Sequence, residues 1–172
     1  WNYGAFTDPR AELHYRDGRD YLETTDELFD IIIIDVVDML DNGPAQHLYT
    51  KEFYRSLRGC LRDGGILVVQ ALEFSSCNYK GHTALRRTLQ TAFTKVSSYQ
   101  VPIPSFLAVW GFILASDWLD PEEENAVRLD QLIDARLGDD WLDHATGAFI
   151  MSRFCFDKET GFLLGLAGPV LE

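Results

Sequence analysis

Four consecutive isoleucines, Ile31 to Ile34, constrain this chain more than any other feature. An apolar run without alternation predicts a strand over residues 29–37 buried on both faces, the pattern of a central strand in a parallel, helix-covered sheet. The run passes into Asp35, Asp38 and Asp41 and then into Gly43-Pro44. These acids therefore stand at or beyond the strand's carboxyl end, the edge at which open α/β sheets bind their ligands. Negative charge concentrated there suits a small cationic ligand.

The remaining segments extend this pattern. Residues 11–17 alternate as a strand does and close on the Asp17-Gly18 turn, after which a short helix is expected over residues 19–24. Phe53, Tyr54, Leu57 and Leu61 share one helical face over residues 50–61, and Asp63-Gly64-Gly65 stops that helix. A buried strand follows over residues 66–72, then an amphipathic helix over 80–93 through Leu85, Leu89 and Phe93. Residues 95–101 read as a strand ended by Pro102 and Pro104. Residues 109–115 read as a last strand, antiparallel to its neighbour because the connection is too short for a helical crossover. Asp120-Pro121 opens a helix expected to reach about Leu137, and the tail from Gly138 reads as irregular.

This order gives an α/β fold: the second half of a doubly wound, Rossmann-like sheet, mostly parallel with an antiparallel last strand. A main unit over residues 1–137 is expected, with an irregular extension over 138–172 packing on it. No strand is followed by a G-x-G-x-x-G turn and a helix, the part of such folds that cradles a nucleotide. Together with a start at Trp1, this leads to the expectation of a fragment, a processed subunit or a part of a larger protein.

Composition narrows the ligand further. Fifteen Lys+Arg against 27 Asp+Glu give a formal charge of −12, which disfavours nucleic acid and anionic membranes as partners. Cys60, Cys77 and Cys155 are odd in number and lack a C-x-x-C pair, so neither a disulfide framework nor a zinc site is suggested. Reduced thiols, together with no apolar stretch near the roughly 20 residues needed to cross a bilayer, give a cytoplasmic expectation. His14, His47, His82 and His144 show no ligand spacing and read as surface residues.

Several motifs occur in a fixed order: Asp8-Pro9-Arg10, DGRDYL over 17–22, FDIIIIDVVD over 29–38, GPAQHLYTKEFY over 43–54 and GGILVVQ over 64–70. In that spacing they resemble the carboxyl-terminal part of the polyamine aminopropyltransferases, the spermidine and spermine synthase family. PSFLAVWGFILASD over 104–117 resembles the thermospermine synthase branch. The resemblance implies transfer of an aminopropyl group from decarboxylated S-adenosylmethionine to putrescine or a longer polyamine, releasing methylthioadenosine. It implies the nucleotide as co-substrate, no metal or redox cofactor, and a homodimer or a chain supplying the missing amino-terminal half.

The electrophilic carbon beside a sulfonium is already activated; the amine is the difficulty. An alkylammonium has a pKa near that of lysine, about 10.4, so at neutral pH it is protonated and unreactive. A carboxylate must align it and take or relay its proton. The resemblance assigns Asp35, the first acid of D-x-x-D, as proton acceptor and Asp38, the second, as amine anchor. It places Asp17 and Gly18 at the adenine, Gly43 and Pro44 in the loop beside it, and Asp35 within reach of the nucleotide. Gln70 is expected to line the polyamine site and Trp110, in Trp110-Gly111-Phe112, to offer cation-π contact. For Tyr49 a core or helix-start role stands beside a site role.

Some positions depart from the family pattern. Met39 replaces a common proline, Leu107-Ala108-Val109 replaces a more polar A-D-T, and the tail lacks a clear Y-D-x-x-x-H. Two other readings stay open on sequence alone: a non-catalytic subunit binding polyamine or protein on its acidic rim, and an S-adenosylmethionine-dependent methyltransferase sharing the strand order.

Overall fold

Strand β1, Phe29–Ile34, runs parallel to β2, Leu61–Glu73, which lies antiparallel to β4, Ala108–Ser116. β3, Lys95–Ile103, pairs antiparallel with β4 on its far side, giving the order β1-β2-β4-β3. Three strands thus point one way, and the last strand in sequence runs against them between β2 and β3. This is the expected mostly parallel sheet with an antiparallel last strand. The computed structural model describes residues 4–38, 43, 45–138, 142, 145–166 and 168–172. The β3–β4 link is a single 3-10 turn, Pro104–Phe106, closed by Leu107 at φ 52°.

Two helices cover one face of this sheet. In α2, Lys51–Arg58, the Thr50 side chain accepts from the Phe53 amide at 3.3 Å and caps the first turn. Phe53, Tyr54 and Leu57 are buried from α2, and Leu85 and Leu89 from α3, Lys80–Leu89. They meet Ile34, Leu67, Val69, Ile113 and Ala115 of the sheet in one core. Each buried leucine, isoleucine, valine or phenylalanine of this core contributes about 1.5–3 kcal/mol by leaving water.

Several sequence expectations need correction. Residues 11–17 form no strand: they are exposed and lie outside the sheet, where among the described residues β1 pairs only with β2. Without a neighbouring ladder, alternation alone cannot make a strand. β1 is correspondingly an edge strand, shorter than expected and covered on one face. Ile34 is 7% exposed while Ile31 and Ile33 are 57% and 68% exposed, because side chains two apart share a face and only one face meets α2 and α3. Asp63-Gly64-Gly65 lies inside β2, where the pairing jumps from Phe29↔Leu61 to Ile31↔Ile66 and Gly64 turns at φ +81°. Pro102 sits within β3 rather than ending it, which an edge strand tolerates.

The carboxyl-terminal region is more ordered than its sequence suggested. Asp120-Pro121 opens only the 3-10 turn Pro121–Glu123; the helix proper, Ala126–Leu137 (α4), starts anew at Asn125, whose side chain accepts from the Arg128 amide at 3.0 Å. Two short helices follow, Gly147–Ser152 (α5) and Lys158–Leu164 (α6). The last residues strap back across α2 and α3: the Leu171 amide donates to Thr88 Oγ1 at 2.9 Å, and its carbonyl accepts from the Lys51 amide at 3.0 Å. A helix also covers Gly18–Thr24 (α1), as expected within a residue. Among the described residues no helix is long and apolar enough to cross a membrane.

Candidate functional site

The acids that follow β1 and the polar residue near the end of β2 meet in one open cleft of about 510 Å³, lined by Asp35, Asp38 and Gln70. Because β4 runs backwards, its amino-terminal end reaches the edge where β1 and β2 finish, and Trp110 and Phe112 join the lining. Gln70 Nε2 donates to Asp38 Oδ1 at 3.1 Å, fixing one carboxylate across the mouth of the sheet. Asp38 is half-buried and Asp35 exposed. The cleft therefore joins a charged rim to an apolar aromatic wall. On that wall Phe106 and Trp110 pack at 4.8 Å between ring centroids, and Phe112 stacks on Tyr99 at 5.2 Å. The Trp110 indole nitrogen is buried and has no hydrogen-bond partner among the described residues.

Gln70 reaches Asp38 from a break in the ladder. The β2–β4 pairing is regular to Gln70↔Phe112 and resumes at Glu73↔Trp110, so Ala71 and Leu72 together oppose Gly111 alone. Such a bulge bends a strand and re-aims its side chains. Leu72 takes φ 67° there, a left-handed conformation that costs a residue with a Cβ about 1–2 kcal/mol. Its amide donates to Gln70 Oε1 at 3.3 Å.

A second cleft, of about 460 Å³, is lined by the same Asp35, Val36 and Val37 together with Ala45 and Leu48. Asp35 borders both. Tyr49 braces the divide from below: fully buried, it donates its hydroxyl proton to the Val37 carbonyl at 3.0 Å. Burial, then the charges of Asp38 and Asp35, push its phenol up to about 12, so it remains a donor across the working pH range. Tyr49 thus serves the core and the site's geometry at once.

Not every expected residue comes to these clefts. Asp17 caps α1, its Oδ1 accepting from the Arg19 and Asp20 amides at 2.8 and 3.1 Å. Gly18 is the first residue of α1, and a Cβ there would meet nothing within 4 Å. Neither lines either of these two clefts, although Arg19 links α1 to the segment between Ala45 and Leu48, which border the second one, through the His47 carbonyl at 3.1 Å. Gly43 lines neither cleft; its carbonyl accepts from the Gln46 amide at 3.1 Å. Pro44, Asp41, Met39 and His144 lie outside the described residues. Phe106 was missed because Pro104 marked its segment as a turn, and a turn residue gives no sign of which way its ring points.

Residues 2–125 match the spermine/spermidine synthase domain. The chain belongs to the spermine/spermidine synthase family. A relative from Pseudomonas aeruginosa, polyamine aminopropyltransferase 2, is 55% identical over 172 residues, all of this chain and 49% of the relative. A polyamine aminopropyltransferase 2 from Hyperthermus butylicus is 42% identical over 137 residues, 80% of this chain and 45% of its own length. The chain thus spans about half the length of the curated relatives it matches. The fold is also that of a solved spermidine synthase in complex with the transition-state analogue AdoDATO: TM-score 0.77 at 24% identity, over 95% of this chain and 54% of the other. Spermidine synthase from Thermotoga maritima gives a TM-score of 0.74 at 24% identity, with coverage of 95% and 53%.

One histidine of this synthase-family chain departs from expectation. His82, read as a surface residue, is fully buried beneath β4, stacked on Phe74 at 4.1 Å. Its Nδ1 lies 3.0 Å from the Ala71 carbonyl and its Nε2 2.9 Å from Ser98 Oγ. A carbonyl only accepts, so Nδ1 carries the proton and Nε2 accepts from the Ser98 hydroxyl. Helical spacing places His82 on the same face as Leu85 and Leu89, the signal that could have marked it as buried.

Burial lowers the His82 imidazole from 6.5 to about 4. The unfolded chain protonates this ring near pH 6.5 and the folded chain only near pH 4, so between those values the unfolded state binds more protons. Stability from this group is complete above pH 6.5 and is lost as the pH falls toward 4. Going from pH 7 to pH 5 is expected to remove about 2 kcal/mol. Urea denaturation at both pH values measures this; a His82→Asn variant with the same slope as the wild type would remove His82 as its source.

Proposed function

We propose that this chain is the carboxyl-terminal part of the catalytic domain, residues 1–137, of a polyamine synthase, with residues 138–172 an extension packed on it. The observation that carries the reading is the convergence of Asp35, Asp38 and Gln70 on one cleft with an aromatic wall at the sheet's carboxyl edge. The relatives' name, polyamine aminopropyltransferase, and the transition-state analogue in the solved spermidine synthase support it.

In this reading Asp38, held by Gln70, anchors the amine, and Trp110 faces the chain behind it with its ring. Asp35 takes the proton from the attacking nitrogen. The nitrogen lone pair forms a bond to the carbon beside the sulfonium, the carbon–sulfur bond breaks, and methylthioadenosine leaves with that electron pair on a neutral sulfur. The step balances without electron transfer. On the nucleotide side the second cleft receives the donor, with Asp35 facing both substrates and Asp17, Gly18, Gly43 and Pro44 assigned to the adenine. A homodimer in the cytoplasm, where the exposed thiols of Cys77 and Cys155 stay reduced, completes the reading.

The experiment is a donor comparison on the whole protein. Methylthioadenosine release is expected with decarboxylated S-adenosylmethionine plus a polyamine, and none with the carboxylated donor. Methyl transfer from the carboxylated donor, with no methylthioadenosine from the other, would replace this reading by a methyltransferase.

A further inference from the structure

We infer that His82 is a positioning residue for the polyamine site: through the Ala71 carbonyl it sets the bulge that turns Gln70 onto Asp38. This rests on the polyamine-synthase reading above. Three features converge on the bulge of β2 at Gln70, Ala71 and Leu72. Gln70 Nε2 holds Asp38 at 3.1 Å while Gln70 Oε1 takes the Leu72 amide at 3.3 Å, so the bulge and the amine anchor share one side chain. The carbonyl of Ala71, between them, is taken by His82 Nδ1 at 3.0 Å. The space for the imidazole is provided by Gly111, the residue opposite the bulge: a Cβ there would lie 2.4 Å from His82 Nδ1.

The neighbouring position is fitted to the same feature. A Cβ at Gly81 would lie 2.4 Å from Leu72 Cδ1, so the first turn of α3 is shaped around the left-handed Leu72. His82 itself is fixed on three sides: by Ala71, by Ser98 Oγ at 2.9 Å, and by the Phe74 ring stacked at 13°. A neutral, buried imidazole with a defined tautomer is a rigid strut, and a bulge held by a rigid strut gives Gln70 one direction rather than several. His82 lines neither of the two clefts; its effect passes through backbone.

The test uses the whole protein, four single variants at His82 and Ser98, and Gln70→Ala alone and combined with H82Q. Asn places a side-chain amide near the position of Nδ1, so His82→Asn retains a donor to Ala71. His82→Gln and His82→Phe do not, and Ser98→Ala removes only the contact on the far side of the ring. The Gln70 side-chain amide resonances in a ¹⁵N–¹H spectrum are expected to shift in H82Q and H82F and to stay in place in H82N and S98A. The KM for the amine is expected to rise roughly tenfold in H82Q and H82F, the loss of one hydrogen bond to a charged group, with the nucleotide KM unchanged. In Gln70→Ala, adding H82Q is expected to raise the amine KM no further.

Where H82F does not fold, H82Q carries the same readout. Gln70 resonances that stay in place in H82Q overturn the positioning role whatever the kinetics. Resonances that move while the amine KM does not overturn the placing of Gln70 in the amine site. Multiplicative losses in the Q70A and H82Q double variant also overturn the inference, because His82 would then act by another route. Absence of aminopropyl transfer in the wild-type protein is a different failure, that of the polyamine-synthase reading.

Discussion

Asp35→Asn in the whole protein is expected to lower kcat by roughly 10³-fold, about 4 kcal/mol of transition-state stabilisation, within the range for loss of a positioned general base. Asparagine preserves shape and most hydrogen bonding but cannot take a proton from an ammonium. Asp35 lies just past the end of β1, exposed and bordering both clefts, so the substitution leaves no buried group unpaired and the fold is expected to persist. The distinguishing measurement is therefore kinetic: kcat falls while nucleotide binding, measured by calorimetry, is retained. Asp38→Asn should behave differently. It keeps a partner for Gln70 at 3.1 Å and loses the charge that anchors a cation, so the amine KM rises more than kcat falls. Wild-type kcat in D35N would move the base elsewhere in the site.

The distinct expectations for Asp35 and Asp38 come from structure as much as from sequence. The sequence places both acids past an apolar strand, and this much is local: the strand's carboxyl end is wherever the isoleucines stop. It contains no sign that Asp38 is tied to Gln70, 32 residues away, or that Asp35, and not Asp38, borders two clefts. Both facts depend on strand register. The isoleucine run misled in one respect: Ile31 and Ile33 are exposed because they share the face of β1 that α2 and α3 do not cover, and apolar composition cannot report which face a helix will pack against. Asp17-Gly18 shows the opposite case. The motif is specific as sequence, yet here Asp17 is a helix cap and Gly18 has open space around it, so their assignment to the adenine rests on the family resemblance and not on the shape of the two clefts.

Gly111 carries the other large effect, and Gly18 is its natural control. Both are glycines at ordinary backbone angles, indistinguishable by turn propensity. A Cβ at Gly111 would stand 2.4 Å from His82 Nδ1, 2.8 Å from His82 Cε1 and 2.7 Å from Phe74 Cβ. The imidazole has nowhere to retreat, since Ala71 and Ser98 hold its two nitrogens and Phe74 stacks on its face. Either both hydrogen bonds break, leaving the buried Ala71 carbonyl unsatisfied, or β4 moves away from α3. Gly111→Ala is therefore expected to cost about 3 kcal/mol or more, at the upper end for overpacking, because loss of a buried hydrogen bond adds to the steric strain. Gly18→Ala, at the first position of α1, is expected to change stability by less than about 0.5 kcal/mol. Urea denaturation measures both. If the ring is the obstacle, His82→Ala combined with Gly111→Ala will be less destabilised than the two single losses added, since the shortened side chain vacates the space the methyl needs. Strict additivity would place the strain at Phe74 and the backbone instead. It would also free His82 from any packing tie to Gly111, leaving its bond to Ala71 as its only hold on the bulge.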